Sequence, residues 1–316
     1  MIDFTGQVAV VTGAGGGMGR AYALELARRG AAVVVNDYGG SVRGEQDGSI
    51  GPAERVVAEI EAAGGRAVAN GAAVGSAANA RAIVGQAVEA FGRIDVLVNN
   101  AGTAFPGPFT AFDDEALERQ YATHLIGGHH LMRAAWPHMV AQGYGRVLNI
   151  SSNGVMGVGE NATYAAAKAG MIGLTMDAAV EGRPHGILVN AVMPTSYSRM
   201  VEQIPDRAVV AWFRDNLKPE QVAAAMAWFL SRACTVTGRT LLTGGGRLSS
   251  LVLAETGAFV DPAISAEVVD ARIAEVLDES ALTPVHTQAE AGARYFAHFP
   301  WTAGDRPNFS TQDDNA

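Results

Sequence analysis

The sequence has little cysteine and no long apolar run. Cys234 is the only cysteine in 316 residues, which excludes an intramolecular disulfide and a cysteine-rich metal site and is typical of a reducing compartment. Nowhere do 18 or more apolar residues follow one another, and Met1–Phe4 has no basic leader region. We therefore expect a soluble cytoplasmic protein without a membrane partner.

Positive charge is also scarce. Lys and Arg number 23 against 32 Asp and Glu, which gives a net charge of −9 and argues against nucleic acid as a partner. Charged residues make up only 17% of the chain and apolar residues 48%, a composition that excludes intrinsic disorder. A length of 316 residues predicts two domains, or one large domain with an appendage.

What the sequence does contain is an alternation of short β-branched runs with helical segments. The predicted strands are Gln7–Thr12, Ala31–Asn36, Arg66–Val74, Ile94–Asn99, Arg146–Ser151, Ile187–Val192 and Thr240–Thr243. The predicted helices are Met18–Arg29, Ala53–Ala63, Ala77–Phe91, Asp114–Gln142, Ala162–Glu181, Glu220–Ser231 and Ile264–Leu277. Parallel strands need crossover connections, so the alternation predicts an α/β fold with a doubly wound parallel sheet, a Rossmann fold. We assign it residues 1–249 and expect 250–316 to form a C-terminal extension that packs on the main domain or on a partner subunit.

A glycine-rich turn separates the first predicted strand from the first predicted helix. It reads TGAGGGMG from Thr12 to Gly19, and the N–H groups of such a turn and of the helix N-terminus can face a pyrophosphate. The spacing does not fit G-x-G-x-x-G but fits G-x-x-x-G-x-G. We predict that the cofactor-binding residues of this turn are Gly13, Gly15, Gly16, Gly17, Met18 and Gly19.

Asp37 ends the second predicted strand, 18 residues after Gly19. At this distance an acidic residue can accept hydrogen bonds from the adenosine ribose, and its charge repels a 2′-phosphate. No basic residue follows before Arg43, so the sequence favours NAD over NADP. The alternative is that Asp37 is only a turn residue at a strand end.

Tyr164 and Lys168 are four residues apart at the start of a predicted helix, so their side chains leave the same face. A nearby ammonium group can lower the pKa of a tyrosine and make it useful in proton transfer. Alone, this pair is more typical of a solvated helix face. The serine pair Ser151-Ser152 ends the preceding strand, where a hydroxyl could hold a substrate carbonyl oxygen beside the tyrosine.

These motifs together resemble the short-chain dehydrogenase/reductase family, in order and in spacing. The resemblance rests on TGAGGGMG, Asn99-Asn100-Ala101-Gly102, the serine pair and YAAAK, and covers about residues 4 to 246. Four ordered motifs on a matching α/β pattern are far more specific than any one alone. Within the family, the segments FTGQVAVVTGAGGGMGRAYALELARRGAAVVVNDYGG and YGRVLNISSNGVMG resemble the (3R)-hydroxyacyl-CoA dehydrogenase domains of peroxisomal multifunctional enzymes of type 2 and their bacterial relatives.

The resemblance implies a role for each matching position. Tyr164 would be the general acid/base, Lys168 would lower its pKa and bind the nicotinamide ribose, and Pro194 would begin the segment beside the nicotinamide. The other cofactor-lining positions would be Val74, Asn99, Asn100, Ala101 and Gly102. The resemblance also implies a small-molecule substrate and a homodimer or homotetramer formed through the helical stretches 125–142 and 165–179.

Two positions depart from the usual pattern of the family. His124 stands where most members have an asparagine that completes a proton relay, and the multifunctional-enzyme relatives share this histidine. It could bind a relay water, titrate near neutral pH or be structural. Ala73 stands where an aspartate commonly binds the adenine amino group, so one contact of about 1 kcal/mol is expected to be missing.

The catalytic serine is ambiguous. Ser151 has the common spacing of 13 residues to Tyr164, whereas matching the strand YGRVLNISS places Ser152 at the catalytic position with one loop residue deleted. We prefer Ser152, because strand register is more rigid than loop length.

The sequence therefore predicts an NAD-dependent oxidoreductase that moves hydride between the cofactor and a secondary alcohol or ketone, with a 3-hydroxyacyl-CoA among the candidate substrates. The alternatives are an NADP-dependent ketoreductase and a nucleotide-binding sensor without turnover. His129 and His130 are adjacent on a helix and diverge by about 100°, so we predict no metal site. The segment 195–213 could cover the substrate as a lid.

Overall fold

The computed structural model describes residues 2–41, 48–103, 106–110 and 113–298. The chain divides into two compact units, residues 1–250 and the residues from Leu251 onward. Arg43, which bears on the cofactor prediction, lies outside the described residues. Within the described ranges no helix combines the length and the apolar composition needed to cross a membrane.

The first unit is built on one eight-stranded sheet. Its strands follow the spatial order β3-β2-β1-β4-β5-β6-β7-β8, and the pairs from β3 to β7 are parallel. The strands are β1 Val8–Thr12, β2 Ala32–Asn36, β3 Arg66–Asn70, β4 Val96–Asn99, β5 Gly145–Ile150, β6 Ile187–Pro194, β7 Thr240–Gly244 and β8 Arg247–Leu251. The predicted doubly wound fold is confirmed.

Helices cover both faces of this sheet. They are α1 Gly17–Arg28, α2 Gly51–Ala62, α3 Ala77–Phe91, α4 Asp114–Tyr121, α5 Gly127–Gln142, α6 Ala162–Gly182, α7 Arg207–Asn216 and α8 Pro219–Leu230. One hydrophobic core joins α1, α2 and α8 to the sheet through residues such as Leu26, Ile60 and Met226. The other joins α3, α5 and α6 through residues such as Ile83 and Leu131. Because β1, β2 and β4 are apolar and buried on both faces, the strand runs read as continuous hydrophobic segments.

The strand order reverses at β1, which lies between β2 and β4. In an open parallel sheet, the crevice outside the carboxyl ends of the strands at such a point is the usual ligand site. The turn from β1 to α1 opens there.

Several boundaries differ from the sequence predictions for identifiable reasons. The third strand ends at Asn70 rather than at residue 74, because the Asn70 side chain accepts a hydrogen bond from the Ala72 N–H and starts a turn. The predicted helix 114–142 is interrupted by a π-helical turn, Ala122–Ile126, which contains His124. Such turns inside helices occur frequently at functional sites. The sequence analysis missed α7 and β8. Only two residues separate β7 from β8, and so short a connection can join only antiparallel strands.

The second unit contains β9 Leu253–Glu255, α9 Ala266–Val276, β10 Thr283–Val285 and α10 Gln288–Ala297. The two strands pair antiparallel. The predicted helix at 264–277 begins later, because the Ser265 hydroxyl caps it by accepting from the Val268 N–H. None of the residues 251–298 is buried. That this extension packs on the main domain or on a partner subunit stays a prediction.

Candidate active site

The glycine-rich turn is held against the end of β4 by a compact set of hydrogen bonds. The Thr12 hydroxyl oxygen accepts from the Asn100 and Ala101 N–H groups, each at 3.1 Å, and the Asn100 side chain donates to the carbonyl oxygens of Thr12 and Gly13 at 2.8 and 3.1 Å. Gly13 has φ +63°, and a Cβ on Gly19 would stand 2.1 Å from the Gly13 carbonyl oxygen. Only glycine fits these two positions.

The turn leaves room for a ligand above the N-terminus of α1. A Cβ on Gly16 or Gly17 would meet nothing within 4 Å, and no side chain caps the helix at Gly16. The turn therefore leaves space beside the helix N-terminus, where the N–H groups without an intrahelical partner carry a partial positive charge. This cradle fits a pyrophosphate group.

Two cavities meet at this turn. The larger, about 340 Å³, extends from Gly13 past Tyr164 to Pro194 and Phe213. The smaller, about 300 Å³, extends from Asp37 past Val74 to Arg119. Four residues line both cavities: Gly13, Ala101, Gly102 and Arg199.

Tyr164 and Ser152 face each other in the larger cavity. A side-chain hydrogen bond between Ser152 and Tyr164 lowers the pKa of the phenol by less than burial raises it. The pKa of Tyr164 is therefore above its ordinary value in the free chain. The side chain of Ser152 also accepts from the Gly154 N–H at 3.1 Å, which fixes its orientation.

Lys168 is buried and has one hydrogen-bond acceptor among the described residues. Its ammonium group donates to the Ile150 carbonyl oxygen at 2.6 Å and lies 5.7 Å from the centre of the Tyr164 ring. Burial lowers the pKa of Lys168 to about 7, because the charged form loses its hydration. The expected lowering of the Tyr164 pKa by Lys168 is not seen in the free chain, where burial dominates.

The two serines occupy different environments. Ser151 is buried, and its hydroxyl donates to the Lys168 carbonyl oxygen at 2.8 Å, so its proton is engaged in holding α6 against β5. Ser152 has its hydroxyl at Tyr164. The geometry thus favours Ser152 as the residue that meets a substrate oxygen.

His124 packs edge-on against the Tyr164 ring, with 5.2 Å between the ring centres. Its Nε2 atom lies 3.0 Å from the Thr103 nitrogen and 2.6 Å from the Thr103 oxygen. Burial, and then the charge of Lys168, lower the pKa of His124 to about 3. The ring is therefore neutral at neutral pH. Of the three roles considered for His124, titration near neutral pH is disfavoured, and binding of a relay water and a structural role remain. Its Nδ1 atom is buried without a partner among the described residues.

Asp37 lines the smaller cavity. Its carboxylate accepts from the Gly15 N–H and from the Gly39 N–H, each at 2.7 Å. These contacts hold the carboxylate beside the glycine-rich turn.

A family model described as short chain dehydrogenase matches residues 7–207. The chain belongs to the short-chain dehydrogenase/reductase family. It is therefore an oxidoreductase that acts on CH–OH groups of small molecules with a nicotinamide cofactor.

Individual relatives agree with this assignment. The chain is 44% identical over 251 residues to peroxisomal multifunctional enzyme type 2 of Mus musculus. The matched region covers 79% of this chain and 33% of the mouse protein. It is 41% identical over 276 residues to a Mycobacterium tuberculosis protein named as a short-chain type dehydrogenase/reductase. That matched region covers 87% of this chain and 95% of the other protein. The structure of full-length peroxisomal multifunctional enzyme type 2 from Drosophila melanogaster matches with a TM-score of 0.77 and 31% identity, covering 94% of this chain and 50% of that one.

The chain thus spans a third to a half of the multifunctional enzymes that it matches. The cytoplasmic location remains a prediction, since these relatives carry the word peroxisomal in their names.

Most of the positions predicted from the short-chain dehydrogenase motifs line one of the two cavities. They are Gly13, Gly16, Gly17, Met18, Gly19, Asn100, Ala101, Gly102, His124, Ser151, Ser152, Tyr164, Lys168 and Pro194 in the larger, and Asp37 and Val74 in the smaller. Two predicted cofactor residues line neither. Asn99 is buried and donates to Asn149 at 2.8 Å, and Gly15 lies against the Asp37 carboxylate. Their contribution is to hold β4 and Asp37 in place.

The sequence analysis missed some residues that the short-chain dehydrogenase fold brings to the site. Arg119 lies on α4 and lines the smaller cavity, and Arg199, Met200 and Val201 lie in the segment after β6. None belongs to a spaced motif. The one available signal was the placement of 195–213 after the strand that ends at Pro194. No cluster of three or more metal-binding side chains occurs within the described ranges.

Proposed function

We propose that the protein is an NAD-dependent dehydrogenase that interconverts a secondary alcohol and a ketone, with a 3-hydroxyacyl-CoA as the substrate class that its resemblance favours. The observation that carries the proposal is the arrangement of Tyr164, Ser152 and Lys168 around one cavity that begins at the glycine-rich turn. A protein that binds a nucleotide without catalysing a reaction would need the glycine-rich turn but not this arrangement of three side chains. NAD, when bound, supplies or accepts the hydride.

The chain's own residues supply the proton and the orientation. Tyr164 exchanges a proton with the substrate oxygen, and Ser152 holds that oxygen by a hydrogen bond. Lys168 has three donors and uses one on Ile150, so two remain for the ribose and for a proton path. His124 stays neutral and fixes the Tyr164 ring. A buried water at its Nδ1 atom would continue the proton path.

The preference for NAD is proposed from Asp37. Its carboxylate is held by two N–H groups at the end of the cavity where an adenosine ribose would lie, and it places a negative charge where a 2′-phosphate would be. Arg119 also lines this cavity, but its guanidinium binds Glu115 at 3.3 Å. Arg199 lines the same cavity as well, and the preference for NAD is argued from the position of the Asp37 carboxylate beside the glycine-rich turn.

The proposal is tested by steady-state kinetics with NAD and NADP on a panel of 3-hydroxyacyl-CoA, steroid and simple secondary alcohols. We expect kcat/KM to be at least tenfold higher with NAD, and Asp37→Asn to narrow that ratio because it removes the charge but keeps an acceptor. Asp278→Asn, which alters a turn cap in the second unit, is the matched control and should leave the ratio unchanged.

Equal kcat/KM for both cofactors in the wild type would refute the role of Asp37. Absence of turnover with every alcohol, together with tight NADH binding, would favour the sensor alternative instead.

We also propose a homodimer or homotetramer formed through α5 and α6. Val140 and Val180 on these helices are exposed large apolar side chains in the single chain, and small residues on α6 permit close helix approach. Light scattering at micromolar concentration should give at least twice the mass of one chain. A monomer would contradict this proposal and leave the proposed reaction untouched.

A further inference from the structure

Arg199 occupies the junction of the two cavities. It follows β6 by five residues. Within the described ranges it is the one charged residue that lines both the larger cavity, which contains Tyr164, and the smaller cavity, which contains Asp37. The other three residues that line both are Gly13, Ala101 and Gly102, which carry no charge. A ligand that spans the two cavities must pass Arg199.

The guanidinium of Arg199 has no partner within the part of the chain that the structure describes. Among the described residues it makes no hydrogen bond and no ion pair, although two other arginines of the same region do. Arg207 and Arg214 both bind the Glu202 carboxylate, at 3.3 and 2.9 Å. No Asp or Glu occurs among the described residues that line the larger cavity. The positive charge of Arg199 therefore has no protein counter-charge on the side of the larger cavity, whereas the smaller cavity also contains the Asp37 carboxylate.

The backbone that carries Arg199 is anchored on both sides. The Thr195 N–H donates to Thr243 at 2.8 Å, and the Tyr197 N–H donates to Leu217 at 2.7 Å. On the other side, the Tyr197 hydroxyl donates to Glu202. Arg199 therefore lies in an anchored segment, so a ligand bound by its side chain need not order the backbone as well.

The glycine-rich turn with the open N-terminus of α1 lines the same junction, through Gly13 in both cavities and through Gly16 and Gly17 in the larger one. A pyrophosphate at this junction would receive N–H donors from the turn and a forked guanidinium from Arg199. Arginine binds phosphate oxygens in this bidentate manner better than any other side chain.

We propose that Arg199 is a binding residue for the cofactor pyrophosphate, and that it acts together with the N–H groups of the glycine-rich turn. The inference rests on the proposed function, because it requires that a dinucleotide spans the two cavities. In this role Arg199 gives the pyrophosphate a positively charged partner that belongs to none of the sequence motifs. The affinity for the nucleotide then depends on ionic strength.

The test compares ligand fragments by calorimetry on the full-length chain without substrate. Arg199→Met should raise the Kd of ADP-ribose and of NADH at least tenfold and leave the Kd of adenosine, which has no phosphate, within twofold. Arg199→Lys should restore part of the affinity, since it keeps the charge but not the fork. Raising the salt concentration should weaken ADP-ribose binding more in the wild type than in Arg199→Met.

Arg207→Met is the matched control. It removes a cation from the same region that is bound to Glu202 and lines neither cavity, so the Kd of ADP-ribose should not change. Because Arg199 is exposed, its variants should keep the wild-type unfolding midpoint.

Three outcomes separate the possibilities. An unchanged Kd of ADP-ribose in Arg199→Met overturns the inference alone. A rise only in the KM of an anionic substrate also overturns it and assigns Arg199 to the substrate. Failure of the wild type to bind ADP-ribose or NADH overturns both this inference and the proposed function.

Discussion

Strand β5 has a buried cation at each end, and the two are held in opposite ways. At its amino end, the Arg146 guanidinium donates to four carbonyl oxygens, those of Gly145, Gly186, Ser231 and Cys234, at 2.8 to 3.4 Å. Its guanidinium also lies 4.3 Å from the centre of the Tyr144 ring. At its carboxyl end, the Lys168 ammonium has the Ile150 oxygen as its one acceptor and borders the larger cavity.

The difference separates a structural cation from a reactive one. Burial lowers the pKa of Arg146, but arginine begins so high that the group stays charged. Burial lowers the pKa of Lys168 to about 7, so its charge can change within the physiological range. A buried cation that donates to four carbonyl oxygens holds several chain segments together. One with free donors at a cavity is available for a ligand and for proton transfer.

The largest expected effect is on stability at the amino end. Arg146→Met should lower the free energy of unfolding by about 3 kcal/mol, because it leaves several buried carbonyl oxygens without a donor. Urea denaturation measures the loss, and kcat per folded molecule should be unchanged. Arg232→Met is the matched control, since Arg232 stacks 4.5 Å from the same Tyr144 ring but is exposed. A similar loss in both variants would mean that the ring contact, not the carbonyl bonds, holds this end together.

The next effect is catalytic and belongs to the carboxyl end. Tyr164→Phe removes the proton that Tyr164 exchanges and keeps the ring packing, so kcat should fall about 10²-fold or more. The Kd of NADH should hardly change. Tyr144→Phe removes a buried hydroxyl at the amino end and should keep wild-type kcat. Near wild-type turnover of Tyr164→Phe on a true substrate would exclude its role as general acid/base.

Lys168 should also make stability depend on pH. Its folded pKa of about 7 lies below the ordinary value of 10.5, so between these pH values the unfolded chain binds the additional proton. Stability contributed by this group therefore rises with pH across that window, by no more than about 1.4 kcal/mol per pH unit. Below about pH 7 both states are protonated and the contribution is flat.

Urea denaturation of the wild type and of Lys168→Met at pH 7.5 and 8.5 measures this slope. The wild type should gain more stability than the variant over that interval. Parallel curves would show that Lys168 titrates with an ordinary pKa and that its burial does not make it reactive.

The fold was largely predictable because its signals are local. The runs VAVVT and AVVVN are buried on both faces in the structure, as their β-branched composition predicts. The missed elements depend on tertiary contacts. Helix α7 begins at an Asp206 cap in a segment without a clear period, and β8 exists because β7 offers it a free edge.

The candidate site was predictable in its motif residues but not in its contacts. The spacing of Tyr164 and Lys168 was sufficient to place both on one face of α6. The choice between the two serines depends on where each hydroxyl points, and the strand–turn geometry that decides it cannot be read from two identical residues. Arg199 belongs to no motif, and only the three-dimensional arrangement brings it to the glycine-rich turn.

The smallest expected effect separates these two serines at the carboxyl end of β5. Ser152→Ala removes a hydrogen bond of about 1 kcal/mol to the reacting oxygen, which is about fivefold in kcat. Ser151→Ala removes its bond to the Lys168 carbonyl oxygen and should lower the free energy of unfolding by about 1 kcal/mol, with kcat reduced less than in Ser152→Ala. Single-turnover kinetics and urea denaturation on both variants measure the two effects. The reverse pattern, with kcat falling in Ser151→Ala and stability falling in Ser152→Ala, would transfer the catalytic role to Ser151 and make Ser152 the residue that joins the strand to the helix.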